Sequence, residues 1–486
     1  MCLELLAELA GSEATEPAPL EVLQGFRRAA YATFGRRADT LFELLDALTS
    51  AGTAVSPVHL SLTAPYRRGW GSFYAALNRG TIAADALERL LTQLPLAEAA
   101  GGPLVFGVDT SVWARCDAET SPERGFYHHP SRHSAGQPIV AGWSFQWLAQ
   151  LSFTRDSWTA PLSVRRVPPG ANMNELAAAQ IRALLRERPA DERVPLFAFD
   201  CGYDAVQLAT ALTGLAVAIV VRLREGRCFY ADPPPPVATV DPQTGRRRLG
   251  RPRRHGAKFA CAVASTWWAP TAAHSEDDPQ YGHVRVRAWS DVHAQTQSHP
   301  GRGTRGPRPI HRGTLVLVEV ERLPHQTRSP KPLWLWWQGP PGLAPDLALI
   351  WRAYIHRFDL EHTLRFSKQG LGWTTLRVRH PAAAERWTWL VVLAYTQLRL
   401  ARSVVADQRL PWERPLPAGR LTPYRVRRAF SPVRESLGTP AAAPKSCGHP
   451  AGRPKGRRYR PAPRHPAVKL TPAATAKPKK RRKRAV

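Results

Sequence analysis

Tyr354, Arg357, Glu361 and Lys368 stand at spacings of three, four and seven residues within an amphipathic stretch that continues to Leu371. On a helix such spacings place all four side chains near one face. A carboxylate held there between an arginine and a lysine can offer oxygen to a metal ion while its neighbours hold a polyanion. Far upstream, two short apolar runs each close on an acid: Leu104–Asp109 and Pro195–Asp200. Three carboxylates converging in one crevice repel one another unless cations intervene. Oxygen-only donors favour Mg²⁺ or Mn²⁺. Two such ions about 3.5 to 4 Å apart suit an in-line displacement at phosphorus. Arg357 and Lys368 would then neutralise or position phosphate, and Tyr354 would donate to it or pack.

The elements expected to position these residues alternate. Apolar residues from Leu3 to about Leu96 recur at helical spacing, so residues 1–100 read as an all-helical domain with an aromatic and basic loop at Tyr66–Gly71. That loop reads equally as a DNA backbone contact or a structural turn. Residues 101–223 alternate strands (Leu104–Asp109, Pro138–Phe153, Pro195–Asp200, Ala216–Val221) with helices (Asn174–Arg186 and a second through Leu208 and Leu212), which implies a mixed α/β sheet. Side chains just beyond strand ends face the ligand crevice of such a sheet, where Asp109 and Asp200 are expected. Residues 224–345 break the alternation with proline and Gly-Arg segments around three strand-like runs, His283–Trp289, Thr314–Val320 and Leu333–Trp337, and read as a β-rich insertion. Helices return over residues 346–405, from Leu347 to Phe366 and from Ala382 to Arg402. A C-terminal extension occupies 406–438, and the remainder, 439–486, has the composition of a disordered basic arm.

The chain of 486 residues carries 68 Lys plus Arg against 38 Asp plus Glu, a formal charge of +30, so a polyanionic partner is expected, with nucleic acid the default. No acidic residue follows Glu435. Six scattered cysteines without a CxxC pair signal neither a disulfide framework nor zinc. The longest apolar runs fall well short of the about 20 residues of a membrane span, and no leader pattern opens the chain. A bacterial cytoplasmic protein associated with the nucleoid is the expectation.

With Tyr354, Arg357, Glu361 and Lys368 downstream of Asp109 and Asp200, the chain resembles the DDE transposases of bacterial insertion sequences, in the subgroup with a Y(2)R(3)E(6)K signature and a β-strand insertion before the glutamate. The resemblance covers roughly residues 100 to 405. It implies a ribonuclease H-like sheet flanked by helices, and Asp109, Asp200 and Glu361 as catalytic metal ligands. It also implies cleavage at transposon ends and joining to target DNA by a homodimer bound to double-stranded DNA. The helical N-terminal region would bind the ends. Relatives with the insertion cut through a DNA hairpin and stack a tryptophan on a flipped base, for which Trp267, Trp268 and Trp289 are the candidates. The run Gly250–Arg254 resembles a minor-groove hook, with Arg251, Arg253 and Arg254 as DNA contacts. Asp204 reads as a second acid of the motif or as a helix N-cap. Two rivals stand beside this reading: a noncatalytic DNA-binding descendant of a transposase, and a stand-alone endonuclease.

Overall fold

A computed structural model describes residues 18–50, 56–94, 96, 102–129, 138–154, 156–188, 191–235, 239–240, 243, 247–248, 254–294, 310–324, 329–417, 419–445, 456 and 461–466. Arg251 and Arg253 lie outside the described residues. Five helices open the described chain: α1 (Pro19–Ala32), α2 (Ala38–Ser50), α3 (Pro57–Ser61), α4 (Trp70–Arg79) and α5 (Ala84–Thr92). The strands and helices that follow are β1 (Val105–Ala114), β2 (Gly125–His128), β3 (Ile139–Leu151), β4 (Thr159–Val167), α6 (Met173–Glu187), β5 (Leu196–Phe199), α7 (Ala205–Ala211) and β6 (Ala218–Arg222). Then come β7 (Cys228–Tyr230), β8 (Lys258–Ala260), β9 (Ala272–Asp278), β10 (Gly282–Ala294), β11 (Arg312–Val320) and β12 (Leu333–Gln338). Three long helices complete the described elements: α8 (Leu347–Gln369), α9 (Pro381–Ala401) and α10 (Pro423–Leu437).

One mixed sheet of twelve strands runs β8-β7-β10-β11-β12-β6-β5-β1-β3-β2, with β9 beside β10 and β4 beside β3. Among the described strands only β6, β5 and β1 pair in parallel. The strands of the expected insertion continue this same sheet, because β12 pairs antiparallel with β6 from Leu335↔Arg222 to Gln338↔Ile219. The thirteen-residue β10 has three neighbours and shifts register between Trp289 and Val292. Asp291 sits there with φ +58°, the left-handed backbone of a bulge that turns the strand from one partner to the next.

The central pillar is α9. Pro381 at its first turn needs no N–H donor, and the helix is apolar almost all round, from Trp387 through Leu393 to Leu398. Such a helix must be buried on every side. It packs on β4, and on α1, α2 and α4 of the N-terminal helices, with Phe73 and Trp387 rings 6.1 Å apart. The buried Arg27 of α1 pairs with Asp46 at 2.7 Å and donates to Gln397 of α9 and to the Gly438 carbonyl. The helical N-terminal region and the sheet therefore share one apolar core.

Of the Tyr66–Gly71 segment, Trp70 and Gly71 open α4, and the arginines before them are held by the body of the protein. Arg67 donates to Glu43 and to the Ala441 carbonyl, and Arg68 to the Ala442 carbonyl. The same contacts show that the start of the expected basic arm, residues 439–442, lies against the N-terminal region, with the Ala442 N–H on Asp39. Residues 464–466 likewise touch the β1–β2 loop, His465 donating its N–H to the Glu119 carbonyl. Composition shows charge and low hydrophobicity, whereas these segments are held through backbone groups that any sequence carries.

Candidate active site

The row of charged residues begins with strand register. In the parallel pairs, Val108 lies beside Phe199 and Phe199 beside Val221. The next residues along the chain are Asp109, Asp200 and Arg222, so three charges fall side by side where the parallel ladder of three adjacent strands ends. Parallel strands open their ligand crevice at that edge. Asp109 does not end its strand, as the sequence suggests. β1 runs on to Ala114 because its antiparallel ladder with β3 persists from Asp109↔Trp147 to Ala114↔Gly142 after β5 has turned away. The acid marks where one neighbour leaves.

Over this edge lies α8, started by Asp346, whose carboxylate accepts from the Leu349 N–H at 3.0 Å. It packs over residue 107, a glycine. A Cβ there would stand 3.4 Å from Leu360 of α8 and 3.2 Å from Leu151. Residues 107 and 109 share a face of β1, so the same approach carries Arg357 and Glu361 over Asp109. Arg357 Nη1 reaches Asp109 Oδ2 at 3.0 Å, and Arg357 Nη2 reaches Glu361 Oε1 at 2.7 Å. One guanidinium thus bridges the first and third acids. Asp200 has a looser cation, Arg222 Nη1, at 3.9 Å, and its Oδ1 is buried without a hydrogen bond.

Burial pushes the Asp109 carboxyl up to about 6, against the pull of Arg357 and the Thr110 N–H, with Glu361 and Asp200 adding to the rise. Arg357 is held charged. Burial works against its cation, but Asp109 and then Tyr354, Glu361 and Asp200 more than offset that, so its pKa is raised. Burial also raises the Tyr354 and Tyr203 phenols, and the Asp109 charge adds to the rise at Tyr203.

Two of the residues expected at the phosphate are turned inward here, and for Tyr354 the structure shows the packing alternative. Tyr354 is 1% exposed and packs under Arg357, whose guanidinium lies 5.5 Å from its ring centre, so as it stands the phenol does not face a phosphate. Arg357, 2% exposed, is committed to carboxylates rather than turned outward to DNA. Lys368 sits in the last turn of α8 with Nζ 5.9 Å from the Trp373 ring centre. Of the tryptophans, Trp289 is 1% exposed inside a cluster with Phe259, Trp267 and Trp334, and its indole donates to the Trp268 carbonyl. It has no face left for a base. Trp267 and Trp268 are half-buried against the same cluster. Arg254, the one described residue of the hook-like run, is half-buried near His255.

Asp204 is an N-cap, accepting from the Val206 and Gln207 N–H groups at 3.0 Å. Asp117 pairs with Arg115, and Asp359 with His356. Sequence reasoning missed Arg222. Its signal is the one that found the acids, a charged residue closing an apolar strand.

A family model described as DDE superfamily endonuclease matches residues 29–300, more than half of the chain. The chain belongs to that family. No curated protein matches it. The matched span of this DDE endonuclease contains Asp109 and Asp200 and stops before the helix that carries Glu361. DDE superfamily endonucleases act on DNA and use divalent metals such as Mg²⁺.

The residues present fit such an ion. The converging donors are carboxylate oxygens, and the Asp200 Oδ1 is a buried acceptor with no hydrogen-bond donor. Among the described residues no group of three or more His, Cys, Asp and Glu side chains is drawn together tightly enough to enclose a metal. Between Asp109 and Glu361 the positive charge is supplied by Arg357 itself. No described helix is long and apolar enough to cross a membrane.

Proposed function

We propose that this DDE endonuclease is a transposase of the insertion-sequence type, with Asp109, Asp200 and Glu361 as its catalytic carboxylates. The observation that carries the reading is the convergence of three acids from β1, β5 and α8 on one sheet edge, two of them joined through Arg357. Mere DNA binding needs no such concentration of negative charge beside a polyanion. Divalent ions at these oxygens, Mg²⁺ or Mn²⁺ and two in number, would activate the attacking oxygen and stabilise the leaving one. The chain's own part is to hold the oxygens in place. The β-ladders fix Asp109 and Asp200, while α8 sets Glu361 above them. Arg222, Lys368 and Arg254 offer cations to the DNA backbone, and Arg357 is released to do so once its carboxylates have another counter-ion. Residues 1–100 are proposed as the end-binding unit, 224–345 as the insertion and the last basic run as a nonspecific DNA grip. The working species is proposed to be a homodimer joining transposon ends to target DNA in the bacterial cytoplasm.

Strand transfer separates this reading from a stand-alone nuclease. The purified chain is incubated with Mn²⁺, a linear duplex taken from the DNA flanking its gene, and a supercoiled plasmid. Covalent joining of the duplex ends to the plasmid is expected, and nicking without joined products would reduce the reading to an endonuclease.

A further inference from the structure

Residues that follow Glu361 on α8 line a cavity of about 620 Å³ that the proposed chemistry does not use. It lies between the β3–β4 loop, α8, α9 and the loop leading into α10. A ladder of aromatic rings descends through it: Tyr424 at the mouth, Phe366 at 4.8 Å, Tyr395 at 6.0 Å beyond, and Trp158 at 5.4 Å. The deep members are fixed. Trp158 donates to the Leu421 carbonyl, and the Tyr395 hydroxyl bonds Thr363 and the Thr159 N–H, so their polar atoms are satisfied and the walls facing the cavity are ring carbons. Tyr424 is 49% exposed.

The rim is cationic. Arg365 and Arg420 are exposed and line the cavity, and neither side chain makes a hydrogen bond or ion pair with the described residues. The one acid there, Asp156, is neutralised by Arg402 at 2.6 Å. Arg365 follows Glu361 by four positions on α8, so it stands on the face of the proposed third catalytic acid, one turn nearer the cavity.

We propose that this cavity takes an unpaired nucleotide of the DNA strand lying across the acidic edge. Its base stacks on Tyr424, whose ring stands edge-on to Phe366, and its phosphates meet Arg365 and Arg420. Stacking rings beside unpaired cations are the recurring means of holding single-stranded nucleic acid. A bare apolar side chain from a second copy would leave both arginines without a partner, which is why the nucleotide is the better occupant. The inference rests on the reading of the protein as a DNA-cutting enzyme.

The test is anisotropy of a labelled single-stranded oligonucleotide, an abasic strand of equal length and a duplex, with the full chain in EDTA so that cleavage plays no part. The wild type should prefer the base-bearing strand over the abasic one by about tenfold, the yield of one base–aromatic stack. Tyr424→Ala should abolish that preference and Tyr424→Phe keep it, with unchanged melting temperatures since the side chain is at the surface. Arg365→Ala with Arg420→Ala should weaken both strands alike. Equal binding of base-bearing and abasic strands, or a preference that Tyr424→Ala leaves intact, would overturn the proposal while duplex binding leaves the enzyme reading standing. A change in oligomeric state with Tyr424→Ala and none in base preference would also overturn it, in favour of a second copy. Failure to bind duplex or single strand would sink both.

Discussion

Asp109 and Arg357 lie 248 residues apart in sequence and meet at 3.0 Å beneath α8, where the same guanidinium also holds Glu361. The arginine acts as an internal counter-ion for acids that would otherwise repel. Its side chain is almost wholly buried, so removing it leaves uncompensated charge in a place water barely reaches. Arg357→Ala is expected to cost roughly 3 to 5 kcal/mol of stability, as for other broken buried pairs. Mn²⁺ should restore more melting temperature to this variant than to the wild type, because an ion replaces the missing positive charge. Denaturant unfolding with and without Mn²⁺ checks both; a loss below about 1 kcal/mol would show the bridge to be ornamental.

The raised Asp109 carboxyl gives the metal-free protein a signature in pH. A carboxyl whose pKa goes up on folding, here from 3.8 to about 6, binds its proton more tightly in the folded state. Its stabilising contribution is therefore fully present below 3.8 and is lost as pH rises through about 6. Unfolding midpoints across that window should show a decline in the wild type that Asp109→Asn removes. Parallel profiles would place the titration elsewhere.

Asp200 and Asp204 are one turn of chain apart and should behave oppositely on mutation. Asp204→Ala removes two backbone hydrogen bonds at the start of α7 and is expected to cost about 1 kcal/mol of stability with cleavage retained. Asp200→Ala should remove cleavage and leave stability equal or higher, since it deletes a buried acceptor that has no donor. Abolished cleavage in Asp204→Ala at full stability would make it a catalytic acid after all.

Arg222 is exposed enough to meet DNA and stands 3.9 Å from Asp200. Arg222→Ala should leave the melting temperature unchanged and lower the slope of log affinity against log salt by about one, the share of a single phosphate contact. An unchanged slope would mean that Arg222 serves only the carboxylates.

The sequence carried the parts of this site that depend on local order. Spacings of three, four and seven put Arg357, Glu361 and Lys368 on one helix, and apolar runs closed by charge located the strand edge. Pairing was less legible. β4, β9 and α10 were not anticipated: β4 mixes serine and arginine into its run, β9 is His-Ser-Glu-Asp-rich, and α10 carries Pro432. The membership of β12 beside β6 was also hidden, because a strand's partner is set by long-range register, which no short window records. Burial was the last thing to be hidden. Tyr354 and Trp289 have types that suit DNA contact, and only the packing of α8 and of the Phe259 cluster shows that both are enclosed.

The most direct test of the central claim is metal-dependent cleavage of DNA flanking the gene by the wild type, Asp200→Ala and Glu361→Ala, with duplex binding measured alongside. The account predicts cleavage by the wild type with Mg²⁺ or Mn²⁺, none in EDTA, and none by either variant although both still bind. Cleavage that survives either substitution would contradict the assignment of these carboxylates.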